Sequence, residues 1–371
     1  RGILYVTMVP FRQHHAYQLL KQLHTSAISE ADRVSYYFKQ NRSLGSKDRQ
    51  WIQNIIFNIL RHRRLLETLI LDSGEQVTPE ALVAKVNEGV LENLDSYSAI
   101  PWPVRYSISD DLAHFLVQDY GEEQAEEIAK IWLTEAPITI RVNTDKISVK
   151  ELQEKLEYPS SPGELPEALH FSKRHPLQST EAFRRGFFEI QDENSQRISQ
   201  GISLTDKDIV LDFCAGAGGK SLIFAQKAKH VVINDSRKAI LQTAKHRLLR
   251  AGARNFSLAD QLRLGSFSVV IVDAPCSGTG VFRRHPEHKW QFSKKLLLNY
   301  VRVQKSILKQ ASAYVGPRGR LVYITCSLLK EENEAHVAYM HSLGWKEVHR
   351  KTLPLQVGKG DAFFTSHFQK I

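Results

Sequence analysis

The chain has 371 residues, room for two or three domains with sizeable cores, and 42% hydrophobic and 24% charged residues make an ordinary globular mixture. No apolar run approaches the roughly 20 residues of a membrane span, which excludes a helical membrane protein. The net charge is +10, divided unevenly: residues 1–136 carry −4, residues 137–371 carry +14, and residues 33–64 alone hold eight basic side chains against one acid, Asp48. Two basic zones separated by an acidic stretch suit a polyanion laid across two domains. No secretory leader is expected, and Met8 is the expected natural start. Three cysteines cannot all pair, so a reducing cytoplasm is the expected compartment.

Residues 11–136 read as all helical. Trp51, Ile52, Ile55, Ile56, Ile59 and Leu60 follow the i, i+3, i+4 pattern of a buried helical face. Leu65, Leu66, Leu69 and Ile70 continue it until Ser73-Gly74. A further helix is expected from Ser109-Asp110-Asp111 to just before Pro137. The texture then changes. Ile138 to Asn143 alternates as a strand, Ser148 to Leu156 suits a short helix, Pro159 to Pro166 a loop, and Phe187 to Ile190 another strand. From about residue 208, apolar β-branched runs at 209–213, 230–235, 255–259, 268–273 and 320–325 alternate with helical stretches, and Ala362 to Phe368 forms a final strand. That alternation predicts an α/β fold with a doubly wound, mostly parallel sheet. The expected domains are 8–136, 137–200 and 201–371.

Asp212-Phe213-Cys214-Ala215-Gly216-Ala217-Gly218-Gly219-Lys220-Ser221 reads as a strand end, a glycine turn and a helix start. Such a turn lets backbone amides approach a ligand. A triphosphate loop needs G-x-x-x-x-G-K followed by Ser or Thr, and Cys214 stands at its first glycine. A dinucleotide loop needs G-x-G-x-x-G, and Ser221 stands at its third. S-adenosylmethionine needs one glycine turn and an acid after the next strand for the ribose. Asp235, 19 residues beyond Gly216, has that spacing, and Asp260 after the third strand is the candidate for the adenine edge.

Two more cysteines close apolar strands, Cys276 in Asp273-Ala274-Pro275-Cys276-Ser277-Gly278 and Cys326 in Thr325-Cys326-Ser327. Strand ends are where open α/β sheets place their chemistry, and paired thiols suit covalent attack on an electrophilic ring. The ordered set of these motifs resembles the RNA (cytosine-5) methyltransferases of the Sun/Fmu (RsmB-like) group. Cys276 to Trp290 resembles the family's long fourth motif, and Glu331-Glu332-Asn333 its sixth. Ile140 to Asn143 and Gln191 to Gln196 resemble segments preceding its catalytic domain, and the helical amino terminus is similar to its NusB-like RNA-binding domain. The chain departs from the family at Gly216-Ala217, where Ala-Pro is usual, and at Ala362, where Gly is usual.

The resemblance implies an S-adenosylmethionine-dependent enzyme acting on 16S ribosomal RNA, with a transfer-RNA enzyme or a non-catalytic ribosome assembly factor as alternatives. It assigns attack on carbon 6 of cytosine to Cys326 and product release to Cys276. Asp273 contacts the base, and Lys220 or the cofactor's positive charge favours the reacting thiolate. Cys214, Ala215, Gly216, Ala217, Gly218, Gly219, Lys220, Asp235, Asp260 and Asp273 are the expected cofactor residues. Arg283, Arg284, His285 and Lys289 are expected to meet RNA phosphates. No metal, no membrane and a monomer complete the expectation.

Overall fold

A computed structural model describes residues 10–23 and 30–370; the expected start at Met8 lies outside the described residues. Contacts divide the chain into two compact units: residues up to Glu135 together with Phe282–Lys294, and Ala136–Val281 together with Lys295–Ile371.

The first unit is helical. Helices Phe11–Gln22, Glu30–Gln40, Ser46–Arg61, Arg63–Asp72 and Pro79–Asn87 surround one core. Ile52, Ile56 and Ile59 are fully buried in it, as their spacing predicts. The Thr78 hydroxyl caps one helix by accepting the Ala81 N–H, and Ser109 caps another through Leu112. The single helix expected after Ser109 is two, Asp110–Tyr120 and Glu122–Ile131. Gly121 separates them at φ +81°, a conformation that favours glycine.

The expected boundary near residue 201 misses one feature of this unit. Phe282–Lys294 lies far along the sequence, yet it packs with the helices. Phe282 meets Trp132 and Phe292 meets Phe115, with ring centroids 5.2 and 6.3 Å apart. Lys289 is 0% exposed and donates to the carbonyls of Arg61 at 2.9 Å and Tyr106 at 3.1 Å. Trp290 Nε1 donates to the Leu60 carbonyl at 2.9 Å. Burial pushes the Lys289 ammonium well below its usual range, with Arg61 adding to the effect.

The second unit holds two sheets. Strands β1 (Ile138–Val142), β2 (Ser161–Pro162), β3 (Ala168–Phe171) and β4 (Phe188–Ile190) form a small antiparallel sheet in the order β2-β3-β1-β4. The larger sheet takes β5 (Ile209–Asp212), β6 (His230–Ile233), β7 (Phe256–Leu258), β8 (Phe267–Asp273), β9 (Val315–Thr325), β10 (Trp345–Leu353) and β11 (Phe363–Lys370). Its order is β10-β11-β9-β8-β5-β6-β7. The five strands from β9 to β7 pair in parallel, and β11 and β10 add antiparallel. Residues alternate between two cores. Val322 and Ile324 face helices Ser221–Lys227 and Lys238–Ala251, whereas Leu321 and Tyr323 face helices Lys294–Ser312 and Glu334–Ser342. No helix among the described residues is long and apolar enough to cross a membrane.

Lys289→Met removes the donor from which two buried carbonyls accept, at a cost of about 1–3 kcal/mol. Thermal unfolding of the full chain should shift down by several degrees; an unchanged transition would contradict the buried contacts.

Candidate active site

Two loops leave the carboxyl edge of the large sheet side by side because β8 and β9 pair in parallel, with Asp273 opposite Ile324. The Ala274 N–H donates to the Ile324 carbonyl at 2.9 Å and extends the ladder past the strand end. Cys276 and Cys326 follow within three residues, and their Sγ atoms are 3.4 Å apart. The approach needs Gly280, whose N–H donates to the Cys326 carbonyl at 2.8 Å. A Cβ there would lie 2.6 Å from the Ala362 carbonyl oxygen and 2.7 Å from that of Cys326.

The two thiols are not equivalent. The hydrogen bond with Cys326, then burial, then the charges of Cys326 and Glu332 push the Cys276 thiol well above its usual range. Cys276 therefore holds its proton. Cys214 is also pushed up, first by burial and then by Asp212, Asp273 and Asp235, so it is an inert thiol.

Lys220 Nζ donates to Asp273 Oδ2 at 2.6 Å and sits 5.2 Å from the Phe363 ring centroid. Burial opposes the charge on Lys220, but Asp273 and then Cys326 outweigh it, and its pKa is raised. Its ammonium is a fixed cation at this edge, in the field of both Asp273 and Cys326.

The glycine turn lies beside these groups. Gly216 adopts φ +53° and Gly218 φ +78°, and a Cβ at Gly218 would come within 3.1 Å of Ala244. The Gly216 N–H donates to Asp235 Oδ2 at 2.9 Å, and Arg237 binds the same carboxylate through its backbone N–H, Nε and Nη2. Gln191 Nε2 donates to the Gly219 carbonyl at 3.1 Å while its Oε1 accepts from buried Arg141 at 3.1 Å. Gln191 thus ties the turn to β1, a role the sequence reading did not assign.

A cavity of about 1090 Å³ runs along this edge. Cys214, Ala215, Gly216, Ala217, Gly219 and Lys220 line it, and so do Asp235, Asp273, Cys276 and Cys326. Its volume reaches the upper end of single-ligand sites, about 300–1,000 Å³, so there is room for a cofactor and a base together. Two expected cofactor residues are elsewhere. Gly218 packs against Ala244 behind the turn, and Asp260 is exposed beyond β7, outside the lining.

Asp212 is 1% exposed and accepts from the Ser221 hydroxyl at 2.6 Å. Its Oδ1 is buried with no protein partner and lies in the cavity wall. The turn, the Asp235 carboxylate and this orphaned acceptor fit a nucleoside cofactor that supplies hydroxyl and amino donors.

The four expected phosphate contacts have different surroundings. Arg283 and Lys289 are buried in the helical unit, which corrects the expectation for both, since a side chain enclosed in a core is not presented to a polyanion. Arg284 is half-buried, and His285 is partly exposed and stacked on His288, with ring centroids 5.2 Å apart. Trp290 is packed rather than free to stack on a base.

The large sheet is a Rossmann-like domain, and the cavity at its carboxyl edge suits S-adenosylmethionine. Residues 200–368 match the family described as 16S rRNA methyltransferase RsmB/F, and residues 112–177 match the ferredoxin-like domain of RsmF/B-like methyltransferases. Both matches are to the RsmB-like, Sun/Fmu group that the sequence motifs resemble.

It is 31% identical over 281 residues to a Bacillus subtilis protein named "Probable ribosomal RNA small subunit methyltransferase B", covering 68% of this chain and 62% of that one. It is 28% identical over 270 residues to a Klebsiella pneumoniae ribosomal RNA small subunit methyltransferase B, covering 67% and 63%. The chain therefore spans somewhat under two thirds of these relatives. A methyltransferase homologue solved from Pyrococcus horikoshii shares the fold over 73% of this chain and 98% of its own, at a TM-score of 0.62 and 24% identity.

Burial raises the Asp212 carboxyl to about 7. A raised folded pKa adds stability below the unfolded value near 3.8, and that stability is lost as pH rises through about 7. Asp212→Asn should remove this decline, worth on the order of 2–4 kcal/mol, so its thermal stability changes less than the parent's from about pH 4 to about pH 8. Parallel curves would contradict the buried carboxyl.

Proposed function

We propose that this chain transfers a methyl group from S-adenosylmethionine to carbon 5 of a cytosine in RNA, with small-subunit ribosomal RNA as its substrate. The observation that carries the reading is the pair of thiols 3.4 Å apart, beside Lys220–Asp273, on a cavity with room for two ligands. Both curated relatives described above are named small-subunit ribosomal RNA methyltransferases, which supports the substrate class.

Carbon 5 of cytosine is a poor nucleophile. Cys326 bonds through sulfur to carbon 6, electron density moves toward carbon 5 and the ring nitrogen, and that nitrogen takes up a proton. Asp273, held by Lys220, accepts the resulting N–H hydrogen bond and stabilises the electron-rich ring. The cofactor supplies a methyl group on a positively charged sulfur. Once methylated, carbon 5 loses its proton to solvent, the ring double bond re-forms as the carbon 6–sulfur bond breaks, and the ring nitrogen gives up the proton it had taken. Cys276, still protonated, stands beside the departing sulfur and stabilises the re-formed thiolate. A base reaches this edge only after leaving its stack. The net positive charge of residues 137–371 favours binding to a polyanion.

Cys326→Ala should reduce methyl transfer to background while cofactor binding remains. Cys276→Ala should accumulate a protein–RNA adduct that survives denaturing electrophoresis. An adduct that requires Cys276 and forms without Cys326 would reverse the two roles.

A further inference from the structure

Beneath the two thiols lies a buried carboxylate that the reaction scheme does not use. Glu332 is 0% exposed. Its Oε1 accepts the Ser277 backbone N–H at 2.8 Å and Gln304 Nε2 at 2.9 Å. Its Oε2 accepts the hydroxyls of Ser277 and Ser327. Ser277 follows Cys276, and Ser327 follows Cys326. A single side chain therefore grips both cysteine loops one residue past each sulfur.

A backbone amide and a carboxamide N–H only donate, and both reach the same oxygen. The Gln304 amide is oriented from its other end, where Oε1 accepts from His336 Nε2 at 2.7 Å. Burial lowers His336 to about 4, so it is a neutral donor. Gln304 Nε2 also donates to the Pro275 carbonyl at 2.9 Å, so the Cys276 loop is held from both sides. The adjoining Asn333 completes the grip on the other loop: its Oδ1 accepts from Thr325 at 2.6 Å and its Nδ2 donates to the Ser327 carbonyl at 2.9 Å. Four hydrogen bonds satisfy the buried carboxyl group, and none of the four groups that make them carries a charge.

We propose that Glu332 is a positioning residue for the two-thiol reaction: its carboxylate holds both loops at their working separation, and its charge favours the protonated Cys276 thiol. The inference rests on the functional reading above. Four groups act on Cys276 or share its field: Cys326, Glu332, Tyr300 and Tyr323. Both tyrosines are pushed up, by burial first, and are neutral. On the opposite side Lys220, paired with Asp273, acts on Cys326.

Glutamine at 332 keeps the length and loses the charge; aspartate keeps the charge and loses the reach. In the full chain, iodoacetamide labelling of each thiol across pH, read by mass spectrometry, separates the two effects. Glu332→Gln should lower the labelling midpoint of Cys276 by about one pH unit and cut kcat on RNA about tenfold, with the KM for RNA within about twofold. Glu332→Asp should keep the midpoint near the parent's and still lose kcat. Parental labelling in Glu332→Gln, or parental kcat in both variants, overturns the proposal. Loss of thermal stability and cofactor binding with unchanged labelling also overturns it. If Glu332→Gln does not fold, Ser277→Ala and Ser327→Ala each remove one grip, and parental kcat in both has the same force. The labelling needs no RNA, so a parent protein that makes no 5-methylcytosine defeats the functional reading while the thiol titration still tests Glu332.

Discussion

The register of one parallel strand pair governs the site. With Asp273 opposite Ile324, the loops after β8 and β9 begin level, and sulfurs 50 residues apart in sequence meet at 3.4 Å. A slip of one residue would turn every side chain of a strand to the other face, exchanging Val322 and Ile324 with Leu321 and Tyr323 between two filled cores. Packing on both faces therefore excludes the slip, and the position of the chemistry follows from hydrophobic burial.

On that frame, charge is arranged in two layers. Lys220 and Asp273 form a pair open to the cavity, and Glu332 is enclosed beneath the thiols. Glu332 lies in the field of Cys276, and Lys220 in that of Cys326. The arrangement supplies an electrostatic reason for the division of roles that sequence resemblance alone assigns. The second unit also includes the small sheet, which reaches the cofactor turn through Gln191 and Arg141.

Much of this was legible in the sequence. The parallel strands announce themselves as buried β-branched runs, and the glycine turn with Asp235 after the next strand is a local pattern. β10 gave no such signal, since Trp345–Leu353 is an edge strand dominated by charged and polar exposed residues. The expected phosphate contacts at Arg283 and Lys289 failed for a different reason. A charged segment ordinarily lies in solvent, and only contacts across more than 180 residues, from Lys289 to Arg61 and Tyr106, reveal that this one is enclosed. Glu332 stood within a recognised motif, but its function depends on two serines that reach it only once the strands are paired.

On the proposed reading, the two thiols serve methyl transfer to carbon 5 of cytosine. The most direct measurement incubates the full chain with unmodified small-subunit ribosomal RNA and methyl-labelled S-adenosylmethionine, then digests the RNA and separates its nucleosides by mass. Label should appear in 5-methylcytidine alone. Label in any other nucleoside would contradict it, as would an RNA that stays unlabelled while the protein binds the cofactor.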